Sequence, residues 1–496
     1  MRISPVTHRE AARAKNIFFA LFRKESLEKD EIFSYLPAEN KNAIKKFWQE
    51  EFKAEYGETK SIWFPKGPIK RIRLFGLGER AKWNERKSQL LPRWMVRYAL
   101  GERVTEFAVA FREDAMGRVV TNMHMAHFEF NKYKERPKEG WPEIKNIFLA
   151  FPGKEITSLR KKIGEETIVG EEVNGCRDLS NTPGGDMTPQ KLAEAAKASA
   201  KRAGIKIKVL EEKDMRRLGM GGVLGVAKGS DEKPKFIILE YMRGPKDQKP
   251  LVLVGKGVTF DTGGLNLKPD NYIYEMHMDM SGGAAVIHGI SAIARLKLPI
   301  NVVGLIPAVE NMPSGSSYRP GDLLKTMSGK TIEVLNTDAE GRVILSDALW
   351  YGATKYKPGF MVDLATLTGA AHVALGNYCS AVFTNKEVLT EKLIEVGKKS
   401  GDYVWPLPLW DEYLTEIKGT FGDLANAGKG DRYGGAIQGA KFLEQFVKNT
   451  PWAHLDIAPK MTSVEGEYLA KGASGVGVRY IVELAKNYPR IMNQES

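Results

Sequence analysis

The segment KTIEVLNTDAEGRVILSDALWYGA, residues 330–353, places two carboxylates and a guanidinium between a strand-like run and a helix-like run. KTIEV reads as a β-strand and VILSDALWYGA as an α-helix. Asp338, Glu340 and Arg342 lie on the turn between them. An Asp-x-Glu pair at the start of a helix is most often a cap that complements the helix dipole. The segment alone therefore leaves two interpretations open, a helix cap and a functional turn.

The sequence on both sides of this turn alternates between strand-like and helix-like runs. FIILEY, LVLVG, NVVGLIPAVE and GFMVDLATL read as strands, and GGAAVIHGISAIARL between them reads as a helix. Alternation of this kind predicts an α/β domain in which a mixed, largely parallel sheet is flanked by helices.

Length and charge predict two domains of different character. A chain of 496 residues is too long for a single core. Residues 1–165 carry 34 Lys+Arg against 22 Asp+Glu, and they hold almost all of the net charge of +13. We predict a smaller, basic α/β N-terminal domain over 1–165, a linker helix over 166–181 and a larger α/β domain over 182–496 that contains the NTDAEGR turn.

Composition also indicates the compartment. Only two cysteines are present, which excludes a disulfide framework and favours a reducing environment. The longest apolar runs have the length of strands, far below the roughly 20 residues that a membrane span requires. We therefore expect a cytoplasmic protein that does not associate with membranes.

Charged side chains follow two of the predicted strands and precede the next helix. Lys256, Asp261 and Lys268 come after LVLVG, and Asp279 precedes GGAAVIHG. Functional groups gather at the carboxyl edge of such a sheet, so we expect these residues and those of the NTDAEGR turn to lie on strand-end loops of one sheet. Four converging carboxylates would repel one another, and two divalent cations offset that repulsion better than the nearby lysines do. Carboxylate ligands suit magnesium, manganese and zinc. Two such ions about 4 Å apart can bridge a water and lower its pKa.

Three motifs carry a resemblance to a known family. NTDAEGR (336–342), VGKGVTFDTGGLNLKP (254–269) and DMSGGAAV (279–286) closely resemble the leucyl aminopeptidases, also called cytosol aminopeptidases. The resemblance covers roughly residues 170–490, with a weaker similarity at IKRIRLFGLGE in the N-terminal domain. It implies a metallo-exopeptidase that removes N-terminal residues from peptides by means of a hydroxide bridged between two metals, with a leucine-like preference.

The resemblance implies a ligand set for two divalent ions per chain, zinc or manganese, with magnesium and cobalt as alternatives. Lys256, Asp261, Asp279 and Glu340 would ligate one ion, and Asp261, Asp338 and Glu340 the other. Asp261 and Glu340 would bridge. A lysine can ligate only as the neutral amine, and adjacent divalent charge would depress its pKa sufficiently.

The resemblance also implies catalytic and substrate-binding roles. Lys268 would hydrogen-bond the developing oxyanion. Arg342 would hold a bicarbonate that acts as general base, because a planar guanidinium grips a planar anion through two bonds. The expected pocket for the first substrate residue consists of Met276, Thr366, Leu367, Gly369 and Ala453.

Two functions from different classes remain open at this point. The first is the aminopeptidase, expected as a homohexamer that acts on peptide substrates. The second is a nucleic-acid-binding protein that uses the basic N-terminal domain, with or without peptidase activity. Two further signals are interpreted as structural: His124 and His127, which have no third ligand nearby, and the Gly-rich run 219–226, which we expect to form a turn.

Overall fold

The computed structural model describes residues 1–25, 27–111, 118–152, 156–428 and 433–492. The chain forms two compact units. One comprises Met1–Glu171 together with Glu465–Ala470, and the other comprises Glu172–Val464 together with Lys471–Ser496. Both units are built from sheets and helices, which confirms the predicted pair of α/β domains. The predicted boundary at residue 165 lies within a single long helix, α6 (Ile156–Asn181).

The N-terminal unit is built on a six-stranded sheet in the order β1-β6-β5-β2-β4-β3. All neighbours in this sheet are parallel except β3 and β4. The strands are β1 (Arg2–Thr7), β2 (Asn16–Leu21), β3 (Thr59–Trp63), β4 (Arg71–Gly76), β5 (Glu106–Ala110) and β6 (Asn146–Phe151). The helices before α6 are α1 (His8–Ala11), α2 (Glu31–Ser34), α3 (Ala38–Glu51), α4 (Glu85–Gly101) and α5 (Val119–His127).

Strand β2 shows how this sheet is covered on both faces. Phe18 packs into one apolar cluster with Phe107, their rings stacked with centroids 4.3 Å apart. Its neighbours Ile17 and Phe19 point to the opposite face and join a second cluster. Successive side chains of a strand alternate between faces, so an uninterrupted apolar strand requires apolar cover on both sides.

The C-terminal unit contains a nine-stranded sheet whose main path runs β16-β15-β18-β14-β9-β11-β8-β7, with β10 paired to β11. Most pairs are parallel, and the pairs β15–β18, β11–β8 and β7–β8 are antiparallel. The strands are β7 (Lys206–Leu210), β8 (Lys235–Met242), β9 (Leu251–Gly255), β10 (Gly257–Asp261), β11 (Asn301–Asn311), β14 (Phe360–Ala365), β15 (Ser380–Thr384), β16 (Val404–Pro406) and β18 (Trp452–Asp456). The predicted mixed, largely parallel sheet is thus confirmed.

Helices pack on this sheet, and a small second sheet lies in the same unit. The helices are α7 (Pro189–Ala203), α8 (Glu212–Leu218), α9 (Gly221–Val226), α10 (Asp270–Ile273), α11 (Ser281–Arg295), α12 (Glu340–Lys355), α13 (Gly369–Leu375), α14 (Thr390–Ser400), α15 (Gly435–Glu444) and α16 (Val478–Met492). The second sheet has the order β12-β13-β17 and consists of β12 (Leu323–Lys325), β13 (Thr331–Glu333) and β17 (Leu424–Ala425).

Three sequence interpretations need comment. The strand-like run before the NTDAEGR turn is β13, which belongs to the small sheet, so the expectation that all charged strand ends share one sheet is wrong. The Gly-rich run 219–226 contains helix α9 rather than a turn, because Gly221 and Gly222 allow close approach to Lys325 and Val343. Among the described residues, no helix is both long and apolar enough to cross a membrane.

Candidate metal centre

Four carboxylates converge where strands end and helices begin. Asp261 is the last residue of β10, and Asp279 lies two residues before α11. Asp338 lies two residues before α12, and Glu340 is the first residue of that helix. Asp261, Asp338 and Glu340 each offer one oxygen, and these three atoms lie within 4.8 Å of one another. The four carboxylates that the sequence singled out therefore meet in one place, as the lysine contacts described next show.

Glycine allows this close packing at two positions. Gly263 has φ +85°, a conformation that a side chain would strain, and a Cβ there would lie 3.0 Å from Asp338 Oδ1. Gly341 faces the side chain of Lys256, and a Cβ on it would lie 2.7 Å from Lys256 Cε. The glycine between Glu340 and Arg342 thus leaves room for a buried lysine.

Two lysines, the buried Lys256 and the partly buried Lys268, each lie between two of these carboxylates. Lys256 Nζ is 2.8 Å from Asp279 Oδ2 and 2.7 Å from Glu340 Oε1. Lys268 Nζ is 2.8 Å from Asp261 Oδ2 and also contacts Asp338 Oδ1. Burial favours the neutral amine, but the neighbouring carboxylates outweigh burial and raise the pKa of both lysines above the ordinary value. Coordination of a cation by Lys256 therefore requires the loss of a firmly held proton.

The carboxyl groups are shifted toward their protonated forms. Burial, together with the negative charge of neighbouring carboxylates, raises the pKa of Asp279 to about 8 and that of Asp338 to about 7. Burial and the charge of Asp261 likewise raise the pKa of Glu340. Both causes act against the ionised form, so additional positive charge is needed to hold the whole cluster ionised at neutral pH.

The donor set fits divalent cations. Glu340 Oε2 is buried and has no hydrogen-bond partner among the described residues. A buried carboxylate oxygen without a donor is costly, and a cation satisfies it. The cluster offers oxygens alone apart from Lys256, a set that suits hard and borderline ions such as manganese, magnesium and zinc.

Arg342 fits a small anion. Its side chain is buried, and its Nε finds no hydrogen-bond acceptor in the described part of the chain. Burial lowers the pKa of Arg342 to about 10, although the charges of Glu340 and Asp456 oppose this effect. A buried guanidinium donor without an acceptor marks a place where a planar oxyanion could be held.

The structure brings four of the five predicted pocket residues to the loops around the cluster. Thr366 follows β14, donates its hydroxyl to Asp279 Oδ1 at 2.7 Å and accepts Lys256 Nζ at its carbonyl at 3.0 Å. Leu367 and Gly369 continue that loop into α13, and Met276 lies three residues before Asp279. Ala453 is not brought to them. It is fully buried inside β18, paired with Val362 and Thr384, three residues before the carboxyl end of the strand.

Three residues near the site were not identified from the sequence. Asn311, at the end of β11, donates to Asp261 Oδ1. Asp456, at the end of β18, accepts hydrogen bonds from Leu367 N and Thr368 Oγ1 and so fixes the loop after β14. Ala458 follows it in a short turn that packs against α13. The sequence signal that could have identified them is their position at or just after the carboxyl end of a predicted strand.

Comparison with known proteins agrees with this geometry. Residues 174–482 match the cytosol aminopeptidase family, catalytic domain, and residues 19–137 match the cytosol aminopeptidase family, N-terminal domain. A probable cytosol aminopeptidase of Geobacter sulfurreducens is 43% identical over 426 residues, which cover 84% of this chain and 85% of that protein. Another, from Chlorobaculum tepidum, is 48% identical over 357 residues, which cover 72% of this chain and 70% of that protein.

A solved structure shares the whole architecture. The bottromycin maturation enzyme BotP, determined in complex with Mn, superposes with a TM-score of 0.83 at 28% sequence identity and covers 96% of this chain and 99% of its own. The family resemblance read from the three motifs is thereby confirmed, and it extends into the basic N-terminal domain. The chain belongs to the cytosol aminopeptidase family and is a metal-dependent aminopeptidase, an exopeptidase that hydrolyses peptides.

Proposed function

We propose that this aminopeptidase holds two divalent cations, zinc or manganese, between Lys256, Asp261, Asp279, Asp338 and Glu340. The observation that carries the proposal is the triad of carboxylate oxygens within 4.8 Å of one another, beside the partnerless Glu340 Oε2. When bound, such a pair of ions would lower the pKa of a shared water and polarise the scissile carbonyl. Asp261 and Glu340, which the family resemblance makes the bridging ligands, each contact a different lysine of the cluster and are the proposed bridges here.

Two cationic side chains have proposed roles at the reacting bond. Lys268 is 14% exposed, unlike Lys256, and its ammonium lies at the edge of the cluster, where it can donate a hydrogen bond to a developing oxyanion. The partnerless Nε of Arg342 supports binding of bicarbonate, which would accept a proton from the attacking water. Asp279 would also receive the free α-amine of the substrate, and this explains removal of N-terminal residues only.

The pocket residues support a preference for a leucine-like first residue. Met276 and Leu367 are apolar and half-buried, and Thr366 presents its methyl group once its hydroxyl is bonded to Asp279. Gly369 is exposed at the start of α13 and adds no side chain. An apolar pocket of this kind stabilises an aliphatic side chain by burial. Ala458 takes the place of Ala453 in this proposal because it follows the carboxyl end of β18.

Hydrolysis of a series of aminoacyl anilides tests the proposal. The purified chain, stripped with chelator and reloaded with Mn²⁺ or Zn²⁺, should cleave leucine anilide and recover activity only with metal. Anilides of charged residues should be cleaved more slowly. Bicarbonate in the assay should raise the rate of the wild type and leave the rate of Arg342→Ala unchanged. A rate that chelator does not affect would exclude the metal centre.

Assembly as a homohexamer and location in the cytoplasm belong to the same proposal. Large apolar side chains of the C-terminal unit are exposed in the single chain, among them Trp405, Trp410 and Phe421. Exposed apolar surface of this kind supports contact between copies. Light scattering coupled to gel filtration gives the number of chains. The low cysteine content supports the cytoplasm.

Nucleic-acid binding by the N-terminal unit is a second candidate, favoured by one observation. Residues 1–165 hold nearly the whole excess of positive charge in the chain. Such an excess attracts phosphate backbones without reading their sequence. This activity would accompany the peptidase rather than replace it.

A further inference from the structure

Asn311 lies where two loops that carry proposed metal ligands meet. It was not among the functional residues predicted from the sequence. It is the last residue of β11, and it stands in register with Asp261, the last residue of the parallel neighbour β10. Its side chain is fully buried. The two strand ends therefore place an amide directly beside a proposed bridging carboxylate.

Both hydrogens of this amide are used. Nδ2 donates to Asp261 Oδ1 at 2.8 Å and to the carbonyl of Thr337 at 3.0 Å. The two acceptors belong to different loops. Asp261 begins the loop after β10 that contains Lys268, and Thr337 lies in the loop before α12, next to Asp338. The amide orientation follows from its partners, since exchanging oxygen and nitrogen would set an oxygen against two other oxygens.

The contact with Asp261 determines which of its oxygens faces the cluster. Oδ1 accepts two hydrogen bonds, from Asn311 Nδ2 and from Gly263 N, each at 2.8 Å. Oδ2 faces Lys268 at 2.8 Å. A carboxylate held in this way is fixed in rotation and presents a single oxygen to any cation in the cluster.

The contact with Thr337 fixes the second loop. The Thr337 carbonyl also accepts the hydroxyl of the buried Tyr318 at 2.6 Å. Thr337 Oγ1 donates to Gly263 O at 2.6 Å. Because Gly263 lies two residues after Asp261, this hydrogen bond also connects the two loops. The separation between Asp261 and Asp338 is therefore set by a closed set of hydrogen bonds in which Asn311 is the direct link.

We propose that Asn311 is a positioning residue of the metal centre. It orients Asp261 as a single-oxygen ligand and holds the loop of Asp338 at the distance that two cations require. The inference rests on the proposed two-metal function but concerns a residue outside the proposed ligand set. Asn311 contacts no substrate, so its effect appears in metal affinity and passes to turnover only through the metals.

The chain provides a matched control on the same strand. Asn301 is the first residue of β11, ten positions away, and it is also buried. Its Nδ2 likewise donates to two carbonyls, Pro245 O at 2.8 Å and Gln248 O at 3.1 Å. Within the described ranges, none of the hydrogen bonds of its side chain involves a carboxylate. Asn301→Ala thus removes the same chemical group from the other end of the strand.

The inference is tested by titrating the metal-stripped full-length chain with Mn²⁺. Calorimetry and electron paramagnetic resonance monitor the binding. Asn311→Ala should weaken Mn²⁺ affinity about 10- to 100-fold, the range for outer partners of metal ligands. KM for leucine anilide at saturating Mn²⁺ should stay within twofold, and much of kcat should return. Asn301→Ala should bind Mn²⁺ like the wild type, whatever its melting temperature.

The possible results distinguish failure of the proposed metal binding from failure of the proposed role of Asn311. If the wild type binds neither Mn²⁺ nor Zn²⁺, the proposed function fails. If the wild type binds and folded Asn311→Ala binds with the same affinity, the positioning role alone is overturned. Should Asn311→Ala not fold, Asn311→Ser retains one donor on a shorter side chain. It should show a smaller loss of affinity than tenfold, and unchanged affinity there would equally overturn the role.

Discussion

The ammonium group of Lys268 lies 2.8 Å from Asp261 Oδ2, at the exposed edge of a cluster whose other lysine is wholly enclosed. The two lysines thus differ in solvent exposure, although each contacts two carboxylates. The enclosed position of Lys256 fits its proposed role as a metal ligand, and the more accessible position of Lys268 fits its proposed role as a donor to the substrate oxyanion.

Lys268→Ala tests this distinction. Loss of one oxyanion donor should lower kcat by about 10²–10³. The metal content of the purified variant should be unchanged, because Lys268 is not a proposed ligand. Turnover and metal content are measured on the same preparation. Turnover close to that of the wild type would remove Lys268 from the chemistry.

Substitution of the acidic ligands should separate the two ions. Glu340→Ala removes a proposed bridging ligand and should lose most of both metals and essentially all activity. Asp338→Ala removes a ligand of one ion and should retain about one metal per chain, with severely slowed turnover. Elemental analysis of both variants is the measurement. Two metals per chain in Glu340→Ala would show that the bridging assignment is mistaken.

Metal binding should also stabilise the fold. A ligand that binds only the folded state raises the free energy of unfolding by about 2.7 kcal/mol at one hundred times its Kd. The melting temperature should therefore rise with added Mn²⁺ and fall with chelator. Glu340→Ala serves as the control and should show almost no response. An equal response in both proteins would point to metal binding elsewhere.

Asp347 should give the fold a pH dependence that is independent of the metals. Burial in α12 raises its pKa from 3.8 to about 7, even though it accepts backbone hydrogen bonds from Val223 and Met327. The folded state therefore binds a proton that the unfolded state releases. This contribution to stability is fully present below about pH 4 and is lost as the pH rises through about 7.

Asp347→Asn tests that pH dependence by urea unfolding between pH 4 and 8. The amide cannot accept both backbone donors, so the variant should lose about 1–3 kcal/mol of unfolding free energy. The decline in stability between pH 4 and 7 should become shallower than in the wild type. Asp423→Asn, at an exposed carboxylate that accepts Thr331 N, is the control and should keep the wild-type slope. An unchanged slope in Asp347→Asn would contradict the prediction.

The basic N-terminal unit should bind nucleic acid weakly and without sequence preference. The binding constant of the full chain for duplex DNA should fall steeply with salt concentration, because phosphate contacts release counterions. Gel shift across a salt series measures this. Absence of binding at low salt would leave the excess charge of residues 1–165 without that role.

The turn that carries Asp338 and Glu340 and most of the sheet could be predicted from the sequence because their signals are local. Asp338 and Glu340 stand in a short motif, and β9 is a compact apolar run bounded by glycine. The role of Asn311 could not be predicted, because it depends on the register of β11 against β10. The small sheet could not be predicted for a similar reason. KTIEV reads as a strand, but its pairing with β12 and β17 depends on register, and β17 has only two residues.

Ala453 shows the limit of positional reasoning within a strand. Its distance along the chain from Asp456 is three residues, which along a strand is about 10 Å. That length separates Ala453, paired inside the sheet, from the strand end where Asp456 bonds to the loop after β14. Motif similarity locates the strand, and only the register shows which of its residues reach the edge.

The ammonium groups between the carboxylates bear on how a newly made chain acquires its metals. Because Lys256 and Lys268 supply counterions from within the chain, the four acidic side chains can be gathered during folding before any cation arrives. Metal loading would then displace the Lys268 ammonium from the carboxylates and release the proton of Lys256. We expect maturation to end with metal uptake by an already folded chain, so the ion that fills the centre depends on what the surrounding compartment supplies at that moment.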